Sequence, residues 1–219
     1  MNAPIRWWVI VPMKDTRRAK TRLGGPHDAR QQLAIAMARD TLHAVTHASC
    51  VDGALVVCQN EDDIALLWLP GVTVIVRETL GVNEAITAGA TTLATEGHPG
   101  NVAVLPGDLP YLRSAELDVA LSRASDLDSA CVPDRAGTGT TLLTARTRHN
   151  LHAAYGRDSL RAHREGGAVE LSTPVWSGLR RDVDVPEDLV TDASLGCWTR
   201  GLLERRSTGP ERVPPCRGA

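Results

Sequence analysis

Between Val9 and Gly25 the chain reads VIVPMKDTRRAKTRLGG, and this segment holds both lysines of a sequence with 24 Lys+Arg. Lys14, Arg17, Arg18, Lys20 and Arg22 are opposed there by one acid, Asp15, and the run closes on Gly24 and Gly25. Dense cations, with glycines that let backbone approach a ligand closely, suit a triphosphate. Lysine is a compact point charge that can follow a migrating phosphoryl group, whereas arginine is a planar clamp. Two lysines on one loop, in a chain that otherwise writes its cations as arginine, point to the first task. A solvated basic loop is the plainer alternative for any charge run; the position after the first strand favours phosphate.

The acids have their own pattern. VLPGDLPYL places Asp108 just beyond an apolar run, between Pro106 and Pro110. A carboxylate so placed can hold Mg²⁺, which is typically shared between one or two carboxylates and substrate phosphates; a turn or helix-capping Asp is the alternative. RRDVDVPEDL adds Asp182, Asp184, Glu187 and Asp188. In an extended run Asp182 and Asp184 share a face, so both could approach one metal. The D-x-D spelling invites a glycosyltransferase reading, but VPEDL reads as a helix start with Pro at its first position and an acidic first turn. Asp184 is the expected second metal ligand, and Asp182 stays open.

A milder set lies between these acids. PDRAGTGTTLL and YGRDSL offer backbone N–H groups and hydroxyls without charge, which suits a small phosphorylated or carboxylated substrate. A Gly/Thr hairpin turn with a Ser near a helix start fits the spacing equally well. His43 and His47, four apart on an expected helix, read as surface histidines, since no third ligand accompanies them. No G-x-x-x-x-G-K-[ST] or G-x-G-x-x-G motif occurs, which disfavours P-loop and dinucleotide-binding enzymes.

The elements that must carry these residues alternate. Apolar runs at 7–12, 53–59, 72–78 and 101–108 read as strands buried on both faces, and 29–48, 62–69 and 82–95 show helical spacing. That order predicts a mainly parallel α/β sheet with helices on both faces. Further on, a helix near 114–125, strands at 129–133 and 140–146, a helix near 158–165, a strand near 168–173 and a last helix over PEDLVTDA are expected. Residues 1–199 form one domain in this reading, and from Arg200 the loss of periodicity reads as a disordered tail. In such sheets ligands bind beyond the carboxyl ends of strands, where the basic loop and Asp108 fall.

Composition narrows the rest. A formal charge of −2 argues against a nucleic-acid binder. No run approaches the roughly 18 apolar residues of a membrane span, and no signal-peptide pattern is present. The 5 cysteines show no C-x-x-C spacing, so a reduced, cytoplasmic protein is expected. An open-edged sheet permits a homodimer.

VPMKDTRRAKTRLGG, LGVNEAI, VLPGDLPYL, VPDRAGTGTTLL, YGRDSLRAH and DVDVPEDL stand in the order of the 2-phospho-L-lactate / phosphoenolpyruvate guanylyltransferases of coenzyme F-420 biosynthesis, and the chain resembles that family from about residue 7 to 195. The resemblance implies a GT-A-like α/β nucleotidyltransferase fold, with GTP, Mg²⁺ and a phosphorylated acid as partners. It implies that Lys14, Lys20 and Arg22 grip the triphosphate and drive catalysis. Pro12, Asn83, Pro106 and Asp108 would border the nucleotide, and Asp108 with Asp184 would form the Mg²⁺ site. Thr141 or its neighbour Thr140, with Gly156 and Ser159, would hold the acid. Val82 replaces the family's usual Leu and Tyr155 its common Phe, both keeping apolar bulk. Arginine-rich usage without Phe marks a GC-rich genome, which by association favours phosphoenolpyruvate over 2-phospholactate. The alternatives are another GT-A-like nucleotidyltransferase, of molybdopterin or sugar-phosphate type, and a non-catalytic GTP-binding protein.

Overall fold

The structure is a computed structural model that describes residues 5–13, 24, 26–78, 81–98 and 100–208. Its described strands and helices run β1 (Trp7–Pro12), α1 (His27–Thr46), β2 (Val51–Cys58), α2 (Asp62–Leu67), β3 (Val72–Val76), α3 (Val82–Thr95), β4 (Val102–Val104), α4 (Ser114–Ala124), β5 (Ser129–Pro133), β6 (Thr140–Ala145), α5 (Ser159–Glu165), β7 (Val169–Glu170) and α6 (Cys197–Thr208). They build one seven-stranded sheet of order β3-β2-β1-β4-β6-β5-β7. β1 to β4 are parallel and only β6 runs against its neighbours. Ile10 pairs with Leu55 on one side and Val104 on the other. All three are buried, as the near-continuous apolar runs require.

The carboxyl ends of β1, β4 and β5 and the start of β6 therefore share one edge of the sheet, where Pro12, Pro106, Pro133 and Thr140 stand. β4 is shorter than its apolar run because Pro106, without an N–H, cannot extend the ladder. Apolar layers cover both faces, with α1 and α4 on one side and α3 and α5 on the other.

Two expectations are corrected. PEDLVTDA is not a helix: only a 3₁₀ turn, Pro186–Asp188, forms. Beyond it the chain follows irregular turns, with Tyr111 Oη donating to Val190 O (2.8 Å) and accepting from Val190 N (2.6 Å). Nor does order end at Arg200, because α6 continues to Thr208. α1 is buried almost all round from Leu33 to Val45, and a helix apolar on all sides needs two partners. The sheet is one; the second is a cluster of Leu33, Ala36 and Met37 with Leu195 and Leu202.

Asp40 of α1 fastens that helix. Its carboxylate oxygens accept from Trp198 N (3.0 Å) and Thr199 N (2.8 Å), which satisfies the first turn of α6. Burial pushes this carboxyl up and the two N–H donors oppose the shift. Asp40→Ala strands those donors and should cost about 2–3 kcal/mol in urea unfolding.

Candidate active site

The loop after β4 is tied down from three directions. Leu109 N donates to Thr41 Oγ1 of α1 (3.1 Å), Gly196 N to Pro110 O (2.8 Å) and Val183 N to Asp108 O (3.1 Å). Asp108 thus sits on rigid backbone, half-buried, with Oδ1 closed off from solvent. Val183 is fully buried, whereas Asp182 is half-buried and Asp184 exposed. Asp182 lies within electrostatic reach of both Asp108 and Asp184. Burial first, then the charges of Asp108, Asp184 and Asp134, push Asp182 up to about 7. Such an all-oxygen anionic set fits a hard divalent cation. Among the described residues no group of three or more His, Cys, Asp or Glu could hold an ion, so water and substrate phosphate must complete any shell.

A strap from Ser177 to Val190 carries two of these acids. Glu116 of α4 anchors its start, with Oε1 accepting from Ser177 Oγ (2.9 Å) and Gly178 N (3.1 Å). Arg180 donates through Nε and Nη2 to Asp134 O (3.2 and 2.8 Å) and through Nη1 to Thr173 O (3.0 Å). The Arg181 guanidinium lies 3.6 Å over the Tyr111 ring, a cation–π contact. Asp188 Oδ2 accepts from Asp184 N and Val185 N, both at 2.9 Å, so Asp188 shapes the turn that presents Asp184.

Across the edge lies an uncharged group. Asp134 closes the β5–β6 loop by accepting from Thr138 N (2.9 Å) and Gly139 N (2.8 Å). An irregularity between Val132 and Pro133 pairs Pro133 with Thr140 and Val132 with Leu142, leaving Thr141 as the extra residue of a bulge. Bulges re-aim side chains. Thr140 Oγ1 meets His163 Nδ1 at 2.8 Å and Ser159 Oγ at 3.4 Å. Thr141 turns its hydroxyl to the carbonyls of Val132 and Pro133, each at 3.5 Å.

The segment before α5 is pinned from α3. Asn83 Nδ2 donates to Tyr155 O (3.0 Å) and Asn83 Oδ1 accepts from Tyr155 N (2.8 Å). Gly156 follows at φ +151°, and Asp158 adopts the left-handed conformation at φ +55°. That sequence of turns delivers Ser159 to Thr140.

His163 is 1% exposed, and burial depresses its imidazole to about 4. Between pH 6.5 and 4 the unfolded chain binds a proton that the fold refuses, so stability is full above about 6.5 and falls as pH drops toward 4, by on the order of 3 kcal/mol. Urea unfolding between pH 4.5 and 7 should show this slope, flattened in His163→Gln.

The edge gathers Pro12, Pro106, Asp108, Asp182, Asp184, Thr140, Gly156 and Ser159, with Asn83 behind Tyr155. Lys14, Lys20 and Arg22, with Arg17 and Arg18, lie outside the described residues. His43 and His47 stack at 4.0 Å between ring centres and join no metal group among the described residues. An open groove of about 800 Å³ runs from Arg77 and Asn83 along α3 to Glu96, away from the carboxylates. Sequence patterns did not single out His163, Glu116, Arg180 or Asp134. Only the first left a signal, since Ser159 and His163 are four apart on one helix and so share a face.

Residues 7–192, which span the sheet, the carboxylates and the hydroxyl group, match the sequence profile of the CofC-like guanylyl transferases. The chain belongs to this family. Two similar proteins are a phosphoenolpyruvate guanylyltransferase of Geodermatophilus obscurus, 42% identical over 90% of this chain and 92% of its own, and one of Streptomyces coelicolor, 38% identical over 90% and 94%. Among solved structures, a nucleotidyl transferase of Methanothermobacter aligns with TM-score 0.58 at 16% identity, covering 84% of this chain and 94% of its own. The 4-diphosphocytidyl-2C-methyl-D-erythritol synthase of Anaerococcus prevotii aligns with TM-score 0.59 at 10% identity, covering 93% and 100%. At such identities these two establish the fold, that of the GT-A-like nucleotidyltransferases. A CofC-like guanylyl transferase thus owes its acids to a strap clipped onto Tyr111 and its hydroxyl group to a bulge in β6.

Proposed function

We propose that this chain transfers GMP from GTP to the phosphate of phosphoenolpyruvate, as a step of coenzyme F-420 biosynthesis. A phosphate oxygen of the acid forms a bond to the α-phosphorus of GTP, the bond from that phosphorus to the bridging oxygen breaks, and pyrophosphate leaves with the electron pair. The nucleophile is already an anion at neutral pH, so no proton needs removing. What remains is to hold two polyanions in line and balance their charge.

The observation that carries this reading is the division of the edge into an anionic half and a neutral half. Asp108 and Asp184, with Asp182 beside them, would supply one or two carboxylates to Mg²⁺, which when bound neutralises phosphate charge and lets carboxylates face a triphosphate. Thr140, Ser159 and the backbone at Gly156 would bind the phospho acid without adding negative charge. Lys14, Lys20 and Arg22 are assigned to the triphosphate and the departing pyrophosphate on their sequence pattern.

The test is pyrophosphate release by purified protein with Mg²⁺, GTP and either phosphoenolpyruvate or 2-phospho-L-lactate. Release is expected with GTP and phosphoenolpyruvate together and not with either alone. Release that ignores the acid, or that occurs only with 2-phospho-L-lactate, would overturn the assignment.

A further inference from the structure

The hydroxyl pair at the neutral half of the edge is wired to a buried imidazole, and the wiring has a direction. Ala154 N is an obligate donor, and it points at His163 Nε2 from 3.0 Å. That ring nitrogen must therefore offer a lone pair. A neutral imidazole carries one proton, so the proton sits on Nδ1. Nδ1 in turn faces Thr140 Oγ1 at 2.8 Å, and the threonine must accept.

The consequence lies in the proton count of the pair. Thr140 cannot return its proton to His163. Thr140 and Ser159 therefore hold two hydroxyl protons, and the 3.4 Å contact between them takes one. Both residues are nearly buried, at 6% and 3% exposure, and among the described residues these are their only side-chain hydrogen bonds. Whichever hydroxyl donates within the pair, the other proton is left for an acceptor outside it. With the opposite tautomer Thr140 would donate to the ring, and the pair would have no proton to spare.

We infer that His163 is a positioning residue that fixes Thr140 and Ser159 as a net hydrogen-bond donor to an anionic oxygen of the phospho acid. This rests on the reading of that pair as the acid's binding group. His163 itself touches neither substrate. The neutrality that burial imposes on the ring is consistent with the role, since an imidazolium would break the bond from Ala154.

Two amide substitutions divide the ring's functions. Asn places an N–H near the Nδ1 position and loses the Nε2 acceptor; Gln places a carbonyl near Nε2 and loses the donor to Thr140. His163→Gln should raise KM for phosphoenolpyruvate about ten-fold, because a hydrogen bond to a charged ligand is weakened. His163→Asn should stay within about three-fold of the parent, and KM for GTP should hold in both. In a Thr140→Val background the Gln substitution should add nothing further. Equal effects of Asn and Gln, or parallel rises in both KM values, would reduce His163 to packing and overturn the inference.

A measurement on the unaltered protein stands apart from folding of the variants. In ¹⁵N-histidine-labelled protein the His163 ring should show the Nδ1–H tautomer, and an Nε2–H tautomer would overturn the inference outright. Absence of phosphoenolpyruvate-dependent pyrophosphate release by the parent would instead remove the proposed function, so the two failures are distinguishable.

Discussion

Asp108→Ala is expected to lower turnover by at least about 10²–10³-fold, the loss typical when a preorganised electrostatic group is removed from an active site. The variant should still unfold cooperatively. The fold requires the backbone of residue 108, since Asp108 O accepts from Val183 N, and the substitution keeps that bond. The carboxylate contributes charge to the site, being one of the neighbours that push Asp182 up after burial. Asp108→Asn keeps the shape but removes the charge and leaves one neutral oxygen, and should move the Mg²⁺ dependence of the rate to higher concentration. Steady-state pyrophosphate release and thermal melts of the same samples decide the matter. Turnover above about a tenth of the parent's would take Asp108 out of the metal site.

Much of this arrangement is legible in the sequence, for reasons that also mark where legibility ends. Strands buried on both faces are written as continuous apolar runs, so β1 to β4 and the edge where their ends meet follow from VIVP, ALVVC, VTVIV and VAVL. The two-residue period sets Asp182 and Asp184 apart from Val183 between them, which is buried. The same period misleads at TT: a bulge adds one residue to β6 and hands Thr140, not Thr141, to His163 and Ser159. PEDL carries the signals of a helix start, yet Tyr111, some eighty residues earlier, bonds both polar groups of Val190 and so competes with the helical ladder. Local preference loses there to a tertiary bond. α6 is hard to see in its own residues, which mix charged and polar groups with few apolar ones. Its trace is in α1, where QQLAIAMARD leaves too little polar surface for a helix with only one partner.

Gly178→Ala is expected to be the most damaging small substitution in the described chain, costing at least about 3 kcal/mol and abolishing turnover with it. A Cβ at this position would lie 1.9 Å from Tyr111 O, 2.5 Å from Tyr111 C and 2.9 Å from Glu116 Oε2. Two of the three are backbone atoms, and they belong to the loop that Leu109, Pro110 and Asp108 hold fixed. Side-chain adjustment cannot relieve the overlap, so one segment must leave the other. The strap is the weaker party: losing its seat releases the Glu116 bonds and then the Arg180 clamp on Asp134 and Thr173, and Asp182 and Asp184 swing away from Asp108. Fold and site should fail together, as a drop in urea midpoint and a loss of Mg²⁺-dependent rate of the same origin. Gly81→Ala is the control, since its backbone is extended and a Cβ there meets nothing within 4 Å among the described residues; its stability should change by no more than about 0.5 kcal/mol. If Gly178→Ala melted like that control, the close approach of strap and loop would not be what aligns the carboxylates.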